Sequence, residues 1–223
     1  MKKYNNYLNE NITDGQLKLI FENCKYFFEN WKGDIIYRAS NDEPFDKQIV
    51  RLKTIKDRKP SNTPINIHNK LNDLFLKLFG WKVRNGVFTT QDENYWEKIG
   101  IYAENYIFLP IGKYEYVYSN KIYDLYENVD KIFYQGVFDF TYKNIEYNPR
   151  DYTKRGSNLF LPKKSIFTEL DDDVLKYFLT NVLEYKNKGI PVKTSEISFK
   201  CDEYYLMNIS FINKIKKLMN KNG

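Results

Sequence analysis

The sequence predicts an α+β fold, and three observations support that prediction. The predicted elements run helix, strand, helix, strand, helix and then mostly strands, without the regular alternation of a doubly wound sheet. No internal repeat is visible, and no apolar run approaches the roughly 20 residues of a membrane span. Of the 223 residues, 42% are apolar, which is enough for a substantial core.

Helices are predicted where apolar residues recur at helical spacing between start and stop signals. They cover the ranges 14–31, 63–80, 92–104, 168–188 and 212–223. The residues that suit their N-termini are Asp14, Thr63 with Pro64, Asp92 and Thr168. The glycines that suit their C-termini are Gly33, Gly80 and Gly189.

Strands are predicted from short runs rich in β-branched and aromatic residues. They cover the ranges 34–38, 49–52, 86–90, 106–111, 114–118, 131–140, 193–200 and 203–209. The turn-rich stretch 141–165 predicts irregular structure. We expect a single domain, with an N-terminal helical segment over 1–33, an α+β core over 34–209 and a basic C-terminal helix over 210–223.

The charge balance indicates a basic protein whose arginines are few. The 35 basic and 29 acidic residues give a net charge of +6, and 29 of the basic residues are Lys. AT-rich coding would produce the same lysine excess, so the charge alone indicates a nucleic-acid partner only weakly. Because Lys cannot reproduce the planar fork of Arg, each of the six arginines becomes a stronger candidate for a binding site.

Several classes of site are disfavoured by composition and motif. The chain has one histidine, His68, and two distant cysteines, Cys24 and Cys201, so we expect no metal centre. The sequence has no GxxxxGK[ST], GxGxxG or GxSxG motif, and no PCxxC segment of a zinc deaminase. The N-terminus lacks the apolar core of a signal peptide. We expect a cytoplasmic protein without a membrane partner.

Four segments in chain order carry a resemblance to a known superfamily. They are IIYRAS at 35–40, GVFTT at 86–90, the helix and strand running into YIFLPIG, and TSEISFKCDEYYLM at 194–207. This order resembles the ADP-ribosyltransferase fold, which implies a split mixed or antiparallel sheet core with flanking helices. The segments 57–72 and 79–90 are also similar to uncharacterised proteins of large DNA phages, which would place the chain in the cytoplasm of a host cell.

The resemblance to ADP-ribosyltransferases implies roles for particular residues. Arg38 matches the residue that holds the dinucleotide, Thr89 and Thr90 match a Ser/Thr motif, and Glu196 matches the catalytic glutamate. The motif here reads FTT rather than Ser-Thr-Ser, and Thr194 stands where many members have Glu or Gln. NAD is then the expected co-substrate, and nucleic acid or a protein side chain is the acceptor.

Cleavage of an N-glycosidic bond requires the same types of residue. Its cleavage develops positive charge on the ribose, which a carboxylate such as that of Glu196 can stabilise. Arg38 can hold phosphate in bidentate fashion, and the hydroxyl of Thr90 can orient the carboxylate or the sugar. The further candidates for substrate binding are Thr89, Arg58, His68, Arg84 and Tyr102.

Two other functions remain open from the sequence. A DNA glycosylase on the same fold would excise a flipped base without NAD. A non-catalytic, phage-associated module would bind nucleic acid through its basic loop and tail. Each of these candidate residues can also be explained by structure alone. Thr89 and Thr90 would then be ordinary strand residues, Glu196 would face solvent, and His68 would be hydrogen-bonded in the core. Arg58 and Arg84 would be solvated surface charges.

Overall fold

The computed structural model describes residues 13–31, 34–40, 49–59, 65–95, 104–119, 140–142, 145–147, 172–186 and 196–222. The helices are α1 (Asp14–Asn23), α2 (Lys25–Phe28), α3 (Ile65–Phe79), α4 (Asp172–Val182) and α5 (Ile212–Asn222). The strands are β1 (Tyr37–Ser40), β2 (Ile49–Lys53), β3 (Val87–Thr89), β4 (Glu104–Pro110), β5 (Glu115–Tyr118), β6 (Phe140–Tyr142), β7 (Ile145–Tyr147), β8 (Glu184–Lys186), β9 (Ile197–Lys200) and β10 (Glu203–Asn208). Short 3₁₀ turns cover Val83–Asn85 and Ile209–Phe211.

The chain divides into two compact units. The first unit comprises Met1–Lys56, Gly86–Tyr118 and Tyr185–Gly223, and the second comprises Asp57–Asn85 and Ser119–Glu184. Each unit is therefore assembled from segments that are distant in sequence.

The first unit contains two open four-stranded sheets. Their strand orders are β1–β4–β10–β2 and β3–β9–β5–β8. The described pairs are antiparallel, and β10 lies centrally in its sheet, with Leu206 opposite both Phe108 and Val50. In the other sheet Phe199 lies between Val87 and Tyr116.

The core of the first unit is largely aromatic. Phe199 is fully buried, and its ring centroid lies 5.0 Å from that of Phe108 and 5.5 Å from that of Tyr114. The aliphatic side chains around these rings include Ile197, Val87 and Leu206. Burial of such large apolar groups is the main term that stabilises the fold.

Helices α1 and α2 pack on this core. Thr13 and Gln16 form the capping box that starts α1, so the N-cap is Thr13 and the predicted cap, Asp14, lies in the first turn. The side chain of Asn23 donates a 2.9 Å hydrogen bond to the hydroxyl of Tyr205 on β10. A small apolar pocket is lined by Phe27 and Phe28 of α2 and by Ile212 and Ile215 of α5.

The second unit centres on α3. Leu71, Leu74 and Phe75 form its fully buried stripe, and Gly80 ends the helix with a left-handed φ of 75°, which glycine adopts without strain. Lys70 and Lys77 on α3 each form an ion pair with Asp172 at the start of α4, at 3.5 and 3.6 Å. The carboxylate of Asp172 also lies in the first turn of α4, where a negative charge interacts favourably with the helix dipole.

The α+β class predicted from the sequence is confirmed, and most element positions agree with the prediction. Two predictions are wrong in detail. The helix expected over 168–188 ends at Val182, and 184–186 instead form the edge strand β8, because pairing across a sheet outweighs a local helical pattern. The stretch expected to be irregular contributes β7 to a hairpin with β6. Most of the predicted strand 131–140 lies outside the described residues.

No helix in the described parts of the chain combines the length and the apolar character that crossing a membrane requires.

Candidate functional site

The candidate site of the first unit lies where its two sheets meet. Tyr37 on β1 and Thr90, just after β3, exchange two backbone hydrogen bonds of 2.7 and 2.9 Å. Thr89 pairs in turn with Ile197 at the start of β9. The start of β1, the end of β3 and the start of β9 therefore lie side by side, and the candidate residues Arg38, Thr90 and Glu196 each adjoin this junction.

Arg38 joins the two sheets through its side chain. Its Nη1 donates a 2.9 Å hydrogen bond to the backbone carbonyl of Phe88 on β3. Its Cζ lies 5.8 Å from the centroid of the Tyr204 ring on β10, which is a cation–π distance. Arg38 is half-buried, and a guanidinium has five donors, so this contact uses only part of its hydrogen-bonding capacity.

The two threonines are buried, and their hydroxyls contact backbone. Thr89 is 1% exposed, and its hydroxyl donates to the carbonyl of Ile197 at 3.2 Å. Thr90 is fully buried, and its Oγ1 accepts the N–H of Asp92 at 3.0 Å, which holds the turn after β3. The Thr89 hydroxyl thus ties β3 to β9, the Thr90 hydroxyl holds the turn after β3, and both side chains are buried.

Glu196 stands immediately before β9 and is half-buried. Ile197 and Phe199 belong to the core, whereas Lys200 is exposed and pairs with Glu115 at 3.1 Å. The same alternation, continued by one residue, puts Glu196 on the side opposite Ile197. Arg38 contacts the Tyr204 ring and the backbone carbonyl of Phe88.

The surroundings of Arg38 are apolar and include a cysteine. Burial raises the pKa of Cys201 to about 12, although a hydrogen bond with Thr54 and the charge of Arg38 oppose that rise. Burial, followed by the charge of Glu93, raises the pKa of Tyr37. Both groups are therefore neutral at pH 7 and present no anion to a ligand.

Three further candidates lie in the second unit. His68 is 3% exposed on α3 and contacts Asn72 and Asn85. Arg58 and Arg84 are half-buried, and the charges of both act on His68. Tyr102, the remaining candidate, lies outside the described residues.

Sequence reasoning missed the residues that hold these candidates in place. Asn72 stands four residues after His68 on a helix, which is a spacing that puts two side chains in contact, so this signal was available. The contacts of Arg38 with Phe88 and Tyr204 had no comparable signal, because they join distant parts of the chain.

A metal centre finds no support in the described parts of the chain, where no three His, Cys, Asp or Glu side chains come together as a potential ligand group. Comparison with known proteins found no matching family model, no matching curated protein and no matching solved structure.

Proposed function

We propose that this chain is an enzyme that acts at an N-glycosidic bond, and that it transfers ADP-ribose from NAD to nucleic acid or protein. The observation that carries the proposal is the junction of β1, β3 and β9. It gathers Arg38, Thr90 and Glu196 from three distant segments, in the chain order that resembles the ADP-ribosyltransferase fold. Two antiparallel sheets that meet at such a junction are compatible with the split sheet of that fold.

Half-burial supports Arg38 and Glu196 as the residues that meet a ligand. A group that is half-buried can reach solvent and still act in a region of reduced dielectric, where its charge has more effect than in water. The buried threonines would instead hold the strands on which these two charges stand.

The proposed reaction breaks the bond between C1′ of the ribose and the pyridinium nitrogen of NAD. The bonding electrons leave with nicotinamide, which becomes neutral, and the ribose acquires oxocarbenium character that the carboxylate of Glu196 would stabilise. An acceptor oxygen or nitrogen then bonds to C1′ and releases its proton to water. The donors of Arg38 that do not contact Phe88 would hold the diphosphate.

The test is an incubation of the protein with labelled NAD, DNA and a cell lysate, with nicotinamide release and label transfer as the readouts. We expect Glu196→Gln to lower nicotinamide release by about a hundredfold or more, because it removes a charge that acts on the transition state. Glu115→Gln is the matched control, since Glu115 is also half-buried on a neighbouring strand and its pairing with exposed Lys200 contributes little to stability.

The same incubation distinguishes the competing functions. Abasic sites formed in DNA without NAD consumption would replace the proposal with a glycosylase. DNA binding that depends on salt and persists in Glu196→Gln, with no turnover of NAD or DNA, would indicate a non-catalytic binding module. Equal nicotinamide release by Glu196→Gln and Glu115→Gln would also overturn the proposal.

A further inference from the structure

Helix α5 of the first unit has one apolar face and one strongly basic face. Its sequence contains four lysines and neither Asp nor Glu. Ile215 is buried, and both Ile212 and Ile215 line the small apolar pocket beside α2. Lys214, Lys216 and Lys217 are exposed. Packing of the two isoleucines therefore keeps these three lysines on the surface of the unit.

The positive charge of this basic face is not compensated within the described parts of the chain. No carboxylate there lies within ion-pair distance of Lys214, Lys216 or Lys217, and the Nζ atom of Lys214 instead lies 5.4 Å from the centroid of the Phe211 ring. Other lysines of the first unit do form ion pairs with carboxylates, namely Lys25 with Glu29, Lys53 with Glu203 and Lys200 with Glu115.

The stability of α5 does not account for these charges. Like charges three or four residues apart on a helix repel each other, and Lys214 and Lys217 have that spacing. Lys214 also lies in the first turn, where the partial positive charge of the helix N-terminus disfavours a cation. A polyanion bound on the basic face would offset both unfavourable interactions.

The chemistry of the basic face favours the backbone of a nucleic acid over a membrane. A helix that binds a membrane surface inserts its apolar side among the lipids, but the apolar side of α5 packs against the core of the unit. Exposed lysines can bind phosphates without any apolar contact. The sequence of α5 contains no arginine and no aromatic residue that could read or stack on bases, so contacts to phosphates are expected to dominate.

We propose that α5 is a docking surface for the phosphate backbone of duplex DNA, which it binds through Lys214, Lys216 and Lys217 without preference for sequence. Each ammonium group would replace counterions that are condensed on the DNA, so the affinity would fall steeply with salt. The surface does not depend on the activity proposed for Arg38 and Glu196. Where that activity is present, the surface would supply it with a nucleic-acid acceptor.

The test is a fluorescence-anisotropy titration of labelled duplex DNA with the full chain, in the absence of NAD. We expect saturable binding with a Kd of about 1–100 µM, equal affinity for two unrelated sequences, and a steep loss of affinity between about 50 and 200 mM salt. The proposal is overturned by the absence of binding up to about 100 µM protein, by a clear preference for one sequence, or by binding to vesicles of anionic phospholipid but not to the duplex.

A triple variant assigns the binding to α5. Lys214→Gln, Lys216→Gln and Lys217→Gln together remove the charge of the basic face and leave the isoleucines in place. Gln and Lys have similar helix propensities, so unfolding in urea should match that of the wild type. We expect the slope of log affinity against log salt to decrease in magnitude by about three, and the affinity at low salt to fall about a hundredfold.

The matched control removes the same charge from other elements of the first unit. It combines Lys18→Gln, Lys113→Gln and Lys186→Gln, three lysines that are also exposed. Because both triple variants lower the net charge equally, their comparison separates a local surface from the overall charge of the protein. We expect the control to bind DNA nearly as the wild type does. Equal losses of affinity and slope in the two triple variants would refute the assignment to α5.

Discussion

Replacing Arg38 should destabilise the first unit, because this side chain joins its two sheets. The hydrogen bond from Nη1 to the carbonyl of Phe88 spans 50 residues of chain, and the guanidinium also lies over the ring of Tyr204. Gln at position 38 is too short to keep either contact. Lys keeps a charge near the ring, but it lacks the planar fork that aims a donor at Phe88.

The expected magnitude follows from these two contacts. A hydrogen bond from a charged donor contributes about 1.5–3 kcal/mol, and a partly exposed cation–π contact contributes about 0.5–1 kcal/mol. Because Arg38 is only half-buried, its interactions with water offset part of the energy of the hydrogen bond and part of the energy of the cation–π contact. We therefore expect Arg38→Gln to lower the free energy of unfolding by about 2 kcal/mol and Arg38→Lys by about 1 kcal/mol.

The assay is urea unfolding with the two thiols as reporters of the first unit. Arg51→Gln is the control, since Arg51 also lies on a strand of that unit and has an anionic partner, Glu203. The Arg51 side chain is 44% exposed, so its ion pair should contribute less than about 1 kcal/mol. If Arg38→Gln is no more destabilising than Arg51→Gln, the assignment of Arg38 as the connection between the sheets is refuted.

Two further predictions concern titratable groups. Cys24 and Cys201 are buried, and their pKa values are raised. Both thiols should therefore react with a thiol reagent at pH 8 about a thousandfold more slowly in the native protein than in urea. Rapid labelling of either thiol in the native protein would contradict its burial. The pKa of His68 is lowered below 6.5, so protonation favours the unfolded chain. The free energy of unfolding of the wild type, measured relative to that of His68→Gln, should be constant above pH 6.5. It should fall as the pH drops from 6.5 towards the pKa of His68 in the folded protein. A difference that stays constant between pH 7 and 5 would contradict the lowered pKa.

Local patterns in the sequence predicted the elements whose stability is local. The helix Ile65–Phe79 carries its start signal, its apolar stripe and its final glycine within about five turns, so each signal acts on neighbouring residues. Ile197 and Phe199, which alternation puts on one face of β9, both belong to the apolar core, and Ser198 between them is buried as well.

Long-range pairing could not be predicted in the same way. Nothing near 184–186 indicates that this segment joins a sheet, because its three residues are exposed and its partner strand is β5, far away in the chain. The candidate residues Thr89 and Thr90 were identified from their motif, but the backbone atoms that occupy their hydroxyls come from Ile197 and Asp92. Sequence patterns identify a residue type at a site more readily than the contact that residue makes.

The structural contacts of Arg38 determine how the activity experiment must be interpreted. A loss of activity in Arg38→Gln is expected whether Arg38 holds a ligand or only holds β3, since the position of β3 also positions Thr90 at the junction. The described connection between the sheets runs through Tyr37, Thr90 and Arg38, and the activity assigned to Glu196 is tested by removing its charge alone. Glu196→Gln is therefore the variant whose effect on NAD turnover can be assigned to chemistry, provided that its unfolding in urea matches the wild type.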